Sequence, residues 1–303
     1  MKIITFLLIA LTLASCANRP TGDSNQKIED QSKTLVAGGL EKLAGGFQFT
    51  EGPAVDVEGN VYFTDIPANM ILIWTLDNTL DTFSMNSGAA NGLYFDKSGN
   101  LLACEGEKGQ ITSTSPEGVR TAIATKYNGT RFNQPNDIWP DQKGGVYFTD
   151  PKYGDKANEP SQDGMHVYYI HPGHTTVTRV CDDFEKPNGI IGTPDGKTLY
   201  ITDNQAGKTF KYDIMPDGSL ANKTLFVEYG CDGMTLDKEG NIYITTNGKP
   251  IVEIFSPSGV LLETIEVPEK PTNVCFSGKN RNFLFITARS SVYRIEMNIN
   301  GVD

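Results

Sequence analysis

The stretch Asp232-Gly233-Met234-Thr235-Leu236-Asp237-Lys238-Glu239-Gly240-Asn241-Ile242-Tyr243-Ile244-Thr245-Thr246 decides the fold. It opens on a polar residue and runs through a short apolar strand to an Asp-x-x-Gly-Asn turn. A second apolar strand then returns and ends in Thr. The same phrase starts at Glu51 (EGPAVDVEGNVYFTD), Asn91 (NGLYFDKSGNLLACE), Asn136 (NDIWPDQKGGVYFTD) and Asn188 (NGIIGTPDGKTLYITD), and in worn form at Asn273 (NVCFSGKNRNFLFITA). Gly and Asn tolerate positive φ, which suits tight hairpins. Alternating runs such as Val61-Tyr62-Phe63 suit strands packed between neighbouring sheets. Six such hairpins, 40 to 52 residues apart, predict an all-β fold, a six-bladed β-propeller.

The first copy shows the expected blade: an inner strand at 53–57, a second at 61–64, then 70–75 and an outer strand near 82–85. The last copy supplies strands at 274–276, 283–287 and 292–297 and lacks an outer one. An N-terminal strand around 40–43 is expected to fill that place and close the ring, which removes exposed edges. The polar insertion at 152–165 reads as part of a rim over one tunnel mouth.

The repeats run without a break in composition, so residues 37–303 read as one propeller domain of the 303-residue chain. The formal net charge of −11 excludes a nucleic-acid partner, whose phosphates need a basic groove. At the N-terminus, Lys2 precedes an apolar run at 3–14 and the sequence Leu13-Ala14-Ser15-Cys16. This describes a signal peptide, residues 1–15, too short to span a membrane. Its end resembles the bacterial lipobox, which implies cleavage before Cys16 and lipidation of the Cys16 sulfur. Residues 16–36 are polar and read as a flexible tether. The expected location is outside the cytoplasm, lipid-anchored at the cell envelope on its periplasmic or outer-membrane face. Cys104, Cys181, Cys231 and Cys275 form no CxxC pair and read as buried free thiols. His166, His171 and His174 read as surface residues, and no Gly-x-Ser-x-Gly elbow accompanies them.

Equivalent positions in a ring of repeats converge on the axis. The first residues of the copies are Glu51, Asn91, Asn136, Asn188, Asp232 and Asn273, all bearing side-chain oxygens. Asn or Asp before Gly also caps turns. An oxygen at every copy, acidic in two, instead favours a site at one tunnel mouth. Carboxylates with carboxamides suit a hard divalent cation, most of all Ca2+. Magnesium fits less well, and zinc lacks its His and Cys partners.

The stretches Phe49-Thr50-Glu51-Gly52-Pro53, Asn133-Gln134-Pro135-Asn136-Asp137, Phe148-Thr149-Asp150-Pro151-Lys152-Tyr153-Gly154, Pro187-Asn188-Gly189 and Asp232-Gly233-Met234 resemble the SMP-30/gluconolactonase/luciferin-regenerating-enzyme-like family, over about residues 40–297. The resemblance implies a six-bladed propeller with one divalent metal, held by Glu51, Asn136, Asn188 and Asp232. It also implies a hydrolase opening a sugar lactone such as gluconolactone, with Asp232 as the catalytic base and Glu51 as its runner-up. Arg131 and Asn133 would bind substrate from the rim, and Asn91 and Asn273 would bind substrate or metal-bound water. After Glu105 the chain reads Gly106-Glu107-Lys108-Gly109-Gln110, where the family carries a His and an Arg-Arg pair. That departure keeps two alternatives open: an aryl-ester or phosphotriester hydrolase on the same site, and a non-catalytic propeller that binds a sugar or a protein.

Overall fold

The computed structural model describes residues 34–154 and 162–302. The expected signal segment 1–15, Cys16, the tether up to residue 33 and residues 155–161 of the insertion lie outside the described residues. Residues 34–36, read from sequence as the end of the tether, are docked. Val36 bridges Met297, and the Leu35 amide donates to a Glu263 carboxylate oxygen at 2.7 Å.

Among the described residues the regular elements are strands, with no helix, and the protein is an all-β propeller. Four sheets have four strands each, beginning with Ala90–Phe95, Ile138–Pro140, Pro187–Gly192 and Cys231–Leu236. A fifth sheet has six strands, in the order Asn273–Ser277, Phe283–Glu296, Glu41–Val55, Val61–Asp65, Met70–Trp74 and Leu80–Ser84. The long strand Glu41–Val55 is paired on both sides. Its first half faces Phe283–Glu296 (Glu41 opposite Arg294, Gly45 opposite Ser291), and its second half faces Val61–Asp65 (Val55 opposite Val61). A two-stranded ribbon, Lys126–Tyr127 with Thr130–Arg131, precedes the third copy. The innermost strands touch in cyclic order, from Glu41–Val55 round to Asn273–Ser277 and back.

The Asp-x-x-Gly-Asn phrase has a direct physical reading. Asp56 Oδ1 accepts the amides of Gly59 and Asn60 at 2.8 and 2.9 Å, and Asn60 Nδ2 donates to its other oxygen. Asp96 with Asn100, and Asp237 with Asn241, repeat the clip. The Asp thus satisfies turn amides that would otherwise lose water without a partner. The turn glycine carries the positive φ, as Gly59 does at 107°.

The Thr that ends the second strand is equally structural. Thr149 Oγ1 receives the Asp137 amide and donates to the Asn188 carbonyl of the next copy. Thr245 receives the Gly233 amide and donates to the Thr272 carbonyl. These fully buried hydroxyls tie each inner strand to its neighbour. Between the sheets lie aromatic side chains such as Tyr147, Tyr169, Phe132, Phe148 and Phe276, fully or almost fully buried. Burying each contributes roughly 1.5–3 kcal/mol. The four cysteines at 104, 181, 231 and 275 are buried free thiols. His166 departs from its expected place. It is buried, in a strand whose five residues are all buried, and its Nε2 pairs with Asp163 Oδ1 at 2.9 Å. His174 is exposed.

Candidate active site

Four of the six repeat-leading residues sit in β-bulges. Pairing shifts by one residue between Glu51 and Ala54, between Ala90 and Leu93, between Pro187 and Ile190, and between Cys231 and Met234. Each shift places the extra residue beside Glu51, Asn91, Asn188 or Asp232. A bulge bends the strand and re-aims a side chain that a regular ladder would send to one sheet face. In the third copy Asn136 precedes the strand Ile138–Pro140, and its amide donates to the Thr149 carbonyl at 2.9 Å. The sixth copy has no bulge, and Asn273 pairs regularly with Thr287.

The following glycine explains itself here. A Cβ on Gly92 would lie 2.5 Å from the Asn136 carbonyl oxygen, and one on Gly189 would lie 2.8 Å from that of Asp232. The inner strands crowd too closely for any side chain. Turn capping is therefore not what selects Gly after these residues.

A cavity of about 460 Å³ opens at this mouth, lined by Glu51, Asn91, Asn136, Tyr153 and Asp232, with Glu107 at its edge. Glu51 is 4% exposed, whereas Asp232 keeps partial access. Asn188 Nδ2 donates to Asp232 Oδ1 at 2.7 Å, and Asn273 Nδ2 reaches Glu51 Oε2 at 3.4 Å. The phenolic oxygen of Tyr153 accepts from Asn136 Nδ2 at 2.8 Å and from Asn188 Nδ2 at 3.2 Å. Three of the four residues that the resemblance marks as ligands, Asn136, Asn188 and Asp232, are thus held in one network through Tyr153, and Glu51 is held separately by Asn273 and the Gly52 amide.

The electrostatics are unbalanced. Burial, and then the charge of Asp232, push the Glu51 carboxyl well above the usual range. Burial likewise raises Asp232, against the Asn188 hydrogen bond and the more distant amines of Lys270 and Lys186. Burial lifts the neighbouring Asp137 to about 7, despite the amides of Ile138 and Ile190. Among the described ion pairs none reaches these three acids. Buried carboxylates in mutual repulsion are what an added cation would relieve. The donors are oxygens, and among the described residues no three His, Cys, Asp or Glu side chains cluster as a metal site. The set fits a hard cation resting on two carboxylates and two carboxamides.

The larger cavity, about 840 Å³, lies off the other ends of the inner strands, lined by Ala54, Trp139, Ile191 and Met234. Asn273 lines that one, while its Nδ2 reaches back to Glu51. Arg131 and Asn133 line neither. Arg131 donates to the carbonyls of Phe132, Glu107 and Asn133. Asn133 Nδ2 donates to the Asp150 and Gly164 carbonyls, and its Oδ1 accepts from the Gln162 amide. Both shape the wall from behind. Glu105, at a strand end, holds Arg120, Thr112 and Gln110 and lies behind the wall too.

The model of the SMP-30/gluconolactonase/LRE-like region matches residues 49–290. The chain belongs to that family. Among its relatives is a gluconolactonase of Zymomonas mobilis, 29% identical, aligned over 92% of this chain and 88% of that one. A gluconolactonase of Xanthomonas campestris superposes with a TM-score of 0.77 at 25% identity, covering 85% of this chain and 89% of the other. A calcium-binding regucalcin of Agrobacterium tumefaciens shares the fold, with a TM-score of 0.74 at 21% identity over 88% and 96% of the two chains.

Tyr153, Lys186 and Asp137 escaped the repeat reasoning. Tyr153 lies in the insertion and has no equivalent in other copies, although it falls within the family-like stretch Phe148–Gly154. Lys186 Nζ sits 4.2 Å from the Tyr153 ring centroid, a contact between copies that no spacing reveals.

Proposed function

We propose that this protein is a divalent-cation-dependent lactone hydrolase, that the cation is Ca2+, and that it opens a sugar lactone such as gluconolactone. The observation that carries this reading is the unbalanced pair Glu51 and Asp232, which line the 460 Å³ cavity with Asn136, Asn188 being bonded to Asp232 beside it. Gluconolactonase relatives at both the sequence and the structural level support it.

Glu51, Asn136, Asn188 and Asp232 would hold the cation. When bound, it supplies Lewis acidity that polarises the lactone carbonyl and stabilises negative charge developing on its oxygen. The chain's own residues do the rest. Asp232, partly open to the cavity, takes a proton from the attacking water. The water oxygen forms the new bond to the carbonyl carbon, the ring C–O bond breaks, and the ring oxygen leaves as a hydroxyl by taking the proton that Asp232 had accepted, which restores the carboxylate. The product is a hydroxy acid. Glu51, buried and carrying the Gly52 amide at 2.9 Å, is held too rigidly to shuttle protons and serves as ligand. Asn91 faces the substrate from the wall.

The six-stranded sheet reads as two blades joined through Glu41–Val55. On this reading the propeller has six blades, and the N-terminal half of that strand closes the sixth. The test of function is acid release from glucono-1,5-lactone with Ca2+ and then with EDTA. Turnover that EDTA abolishes is expected. A protein that binds Ca2+ yet opens no lactone would turn the assignment to an aryl ester or phosphotriester, or to a binding role for which Glu107 and the 106–110 loop shape the mouth.

We propose too that the protein is exported, that Cys16 is lipidated, and that a tether places the domain at the envelope. The support is the Leu13-Ala14-Ser15-Cys16 sequence after the apolar run. Labelled fatty acid is expected to enter the wild-type protein in a bacterial host and to be absent from Cys16→Ser. Label in both proteins would overturn it.

A further inference from the structure

We infer that Tyr153 is the positioning residue that orients both candidate ligand carboxamides, with their oxygens toward the cation. The inference rests on the proposed cation site and adds a residue to it. An Asn side chain offers an oxygen at one end of its amide and an NH2 at the other. Only one end can face a cation, and a free Asn at a cavity wall can present either.

The structure settles this choice through one atom. The phenolic oxygen of Tyr153 accepts from Asn136 Nδ2 at 2.8 Å and from Asn188 Nδ2 at 3.2 Å. Asn188 Nδ2 also donates to Asp232 Oδ1, which uses its second hydrogen. With the NH2 groups engaged, the acceptor oxygens are left for a metal. One phenol thus sets two ligands that come from different copies of the repeat. The Asn136 backbone is pinned separately, its amide donating to the Thr149 carbonyl at 2.9 Å. What remains to be fixed is therefore the amide's own rotation.

Tyr153 is itself well anchored. Its amide donates to Gln134 Oε1 at 2.6 Å, and its ring carries the Lys186 ammonium 4.2 Å from the centroid. Both anchors are independent of the hydroxyl. Removing that hydroxyl should leave the ring in place and release only the two amides. Partners behind metal ligands commonly change affinity by about 10- to 100-fold.

The test is calorimetric titration of metal-stripped Tyr153→Phe with Ca2+, beside thermal unfolding of both metal-free proteins. The expected result is affinity weakened about 10- to 100-fold, with metal-free unfolding unchanged. A purely structural role would lower the unfolding temperature and leave affinity alone. Lys186→Met controls for ring packing: it removes the cation over the ring and keeps the hydroxyl, and its loss of a positive charge near Asp232 would by itself tighten Ca2+ binding, so only a lost ring position would weaken it. Tyr153→Phe binding Ca2+ as tightly as wild type overturns the inference while the lactonase reading stands. Wild type failing to bind Ca2+ overturns both, and Lys186→Met weakening affinity as much as Tyr153→Phe assigns the effect to the ring.

Discussion

Asp232→Asn is expected to keep the fold, retain Ca2+ with reduced affinity and lose about 10²- to 10⁴-fold in kcat for lactone hydrolysis, the usual worth of a positioned general base. The substitution is nearly isosteric and leaves an oxygen for the cation. It removes the one acid at this mouth that combines access to the cavity with proximity to Glu51. Asp232→Ala removes ligand and base together and should abolish both binding and turnover. The metal-free variants carry a further signature. Burying Asp232 beside Glu51 costs free energy that an uncharged side chain avoids, so unfolding of metal-free Asp232→Asn should occur at or above the wild-type temperature. Stability and activity thus move in opposite directions, as in a site whose carboxylates were placed for chemistry. Turnover within tenfold of wild type in Asp232→Asn would move the base to Glu51.

Much of this was legible in the chain. The period of the repeat reveals a propeller because each hairpin is an independent turn with its own Asp-x-x-Gly-Asn clip, and the clip is local chemistry. The convergence of Glu51, Asn136, Asn188 and Asp232 follows from the same periodicity, since equivalent places in a ring point at one axis. What periodicity cannot carry is a local change of register. Asn273 occupies the sixth equivalent place, in a copy with regular pairing, and it reaches Glu51 from behind while lining the opposite cavity. Arg131 and Asn133 stand close in sequence to Asn136, but their hydrogen bonds go to backbone carbonyls and amides of the loop. Proximity along the chain does not report which way a side chain faces. Tyr153 was hidden for the opposite reason: it serves two repeats and belongs to neither.

The glycines after the repeat-leading residues connect fold to site, and Gly52 gives the sharpest test. A Cβ there would lie 2.2 Å from the Asn91 carbonyl oxygen and 2.5 Å from the Gly92 Cα, both backbone atoms of the next copy. Its φ of 40° adds a left-handed conformation that L side chains adopt at a cost of roughly 1–3 kcal/mol. Neither strand can yield alone, because Gly92 in turn abuts Asn136 and Asp137. Gly52→Ala is therefore expected to lose about 4–5 kcal/mol, the range reached only by a severe defect. Denaturant unfolding would read it as a lower midpoint. Gly118→Ala is the matched control: its φ is also positive, at 82°, but nothing lies within 4 Å of its Cβ position. It should show only the conformational cost, about 1–2 kcal/mol. The Gly52 amide also donates to Glu51 Oε2 at 2.9 Å. Displacing that strand should consequently weaken Ca2+ binding along with the fold, whereas Gly118→Ala should leave binding untouched. If the two variants unfolded within about 1 kcal/mol of each other, the inner strands would have room to part. The rigid ring that aims Glu51 and Asp232 at one another would then not be what holds the site.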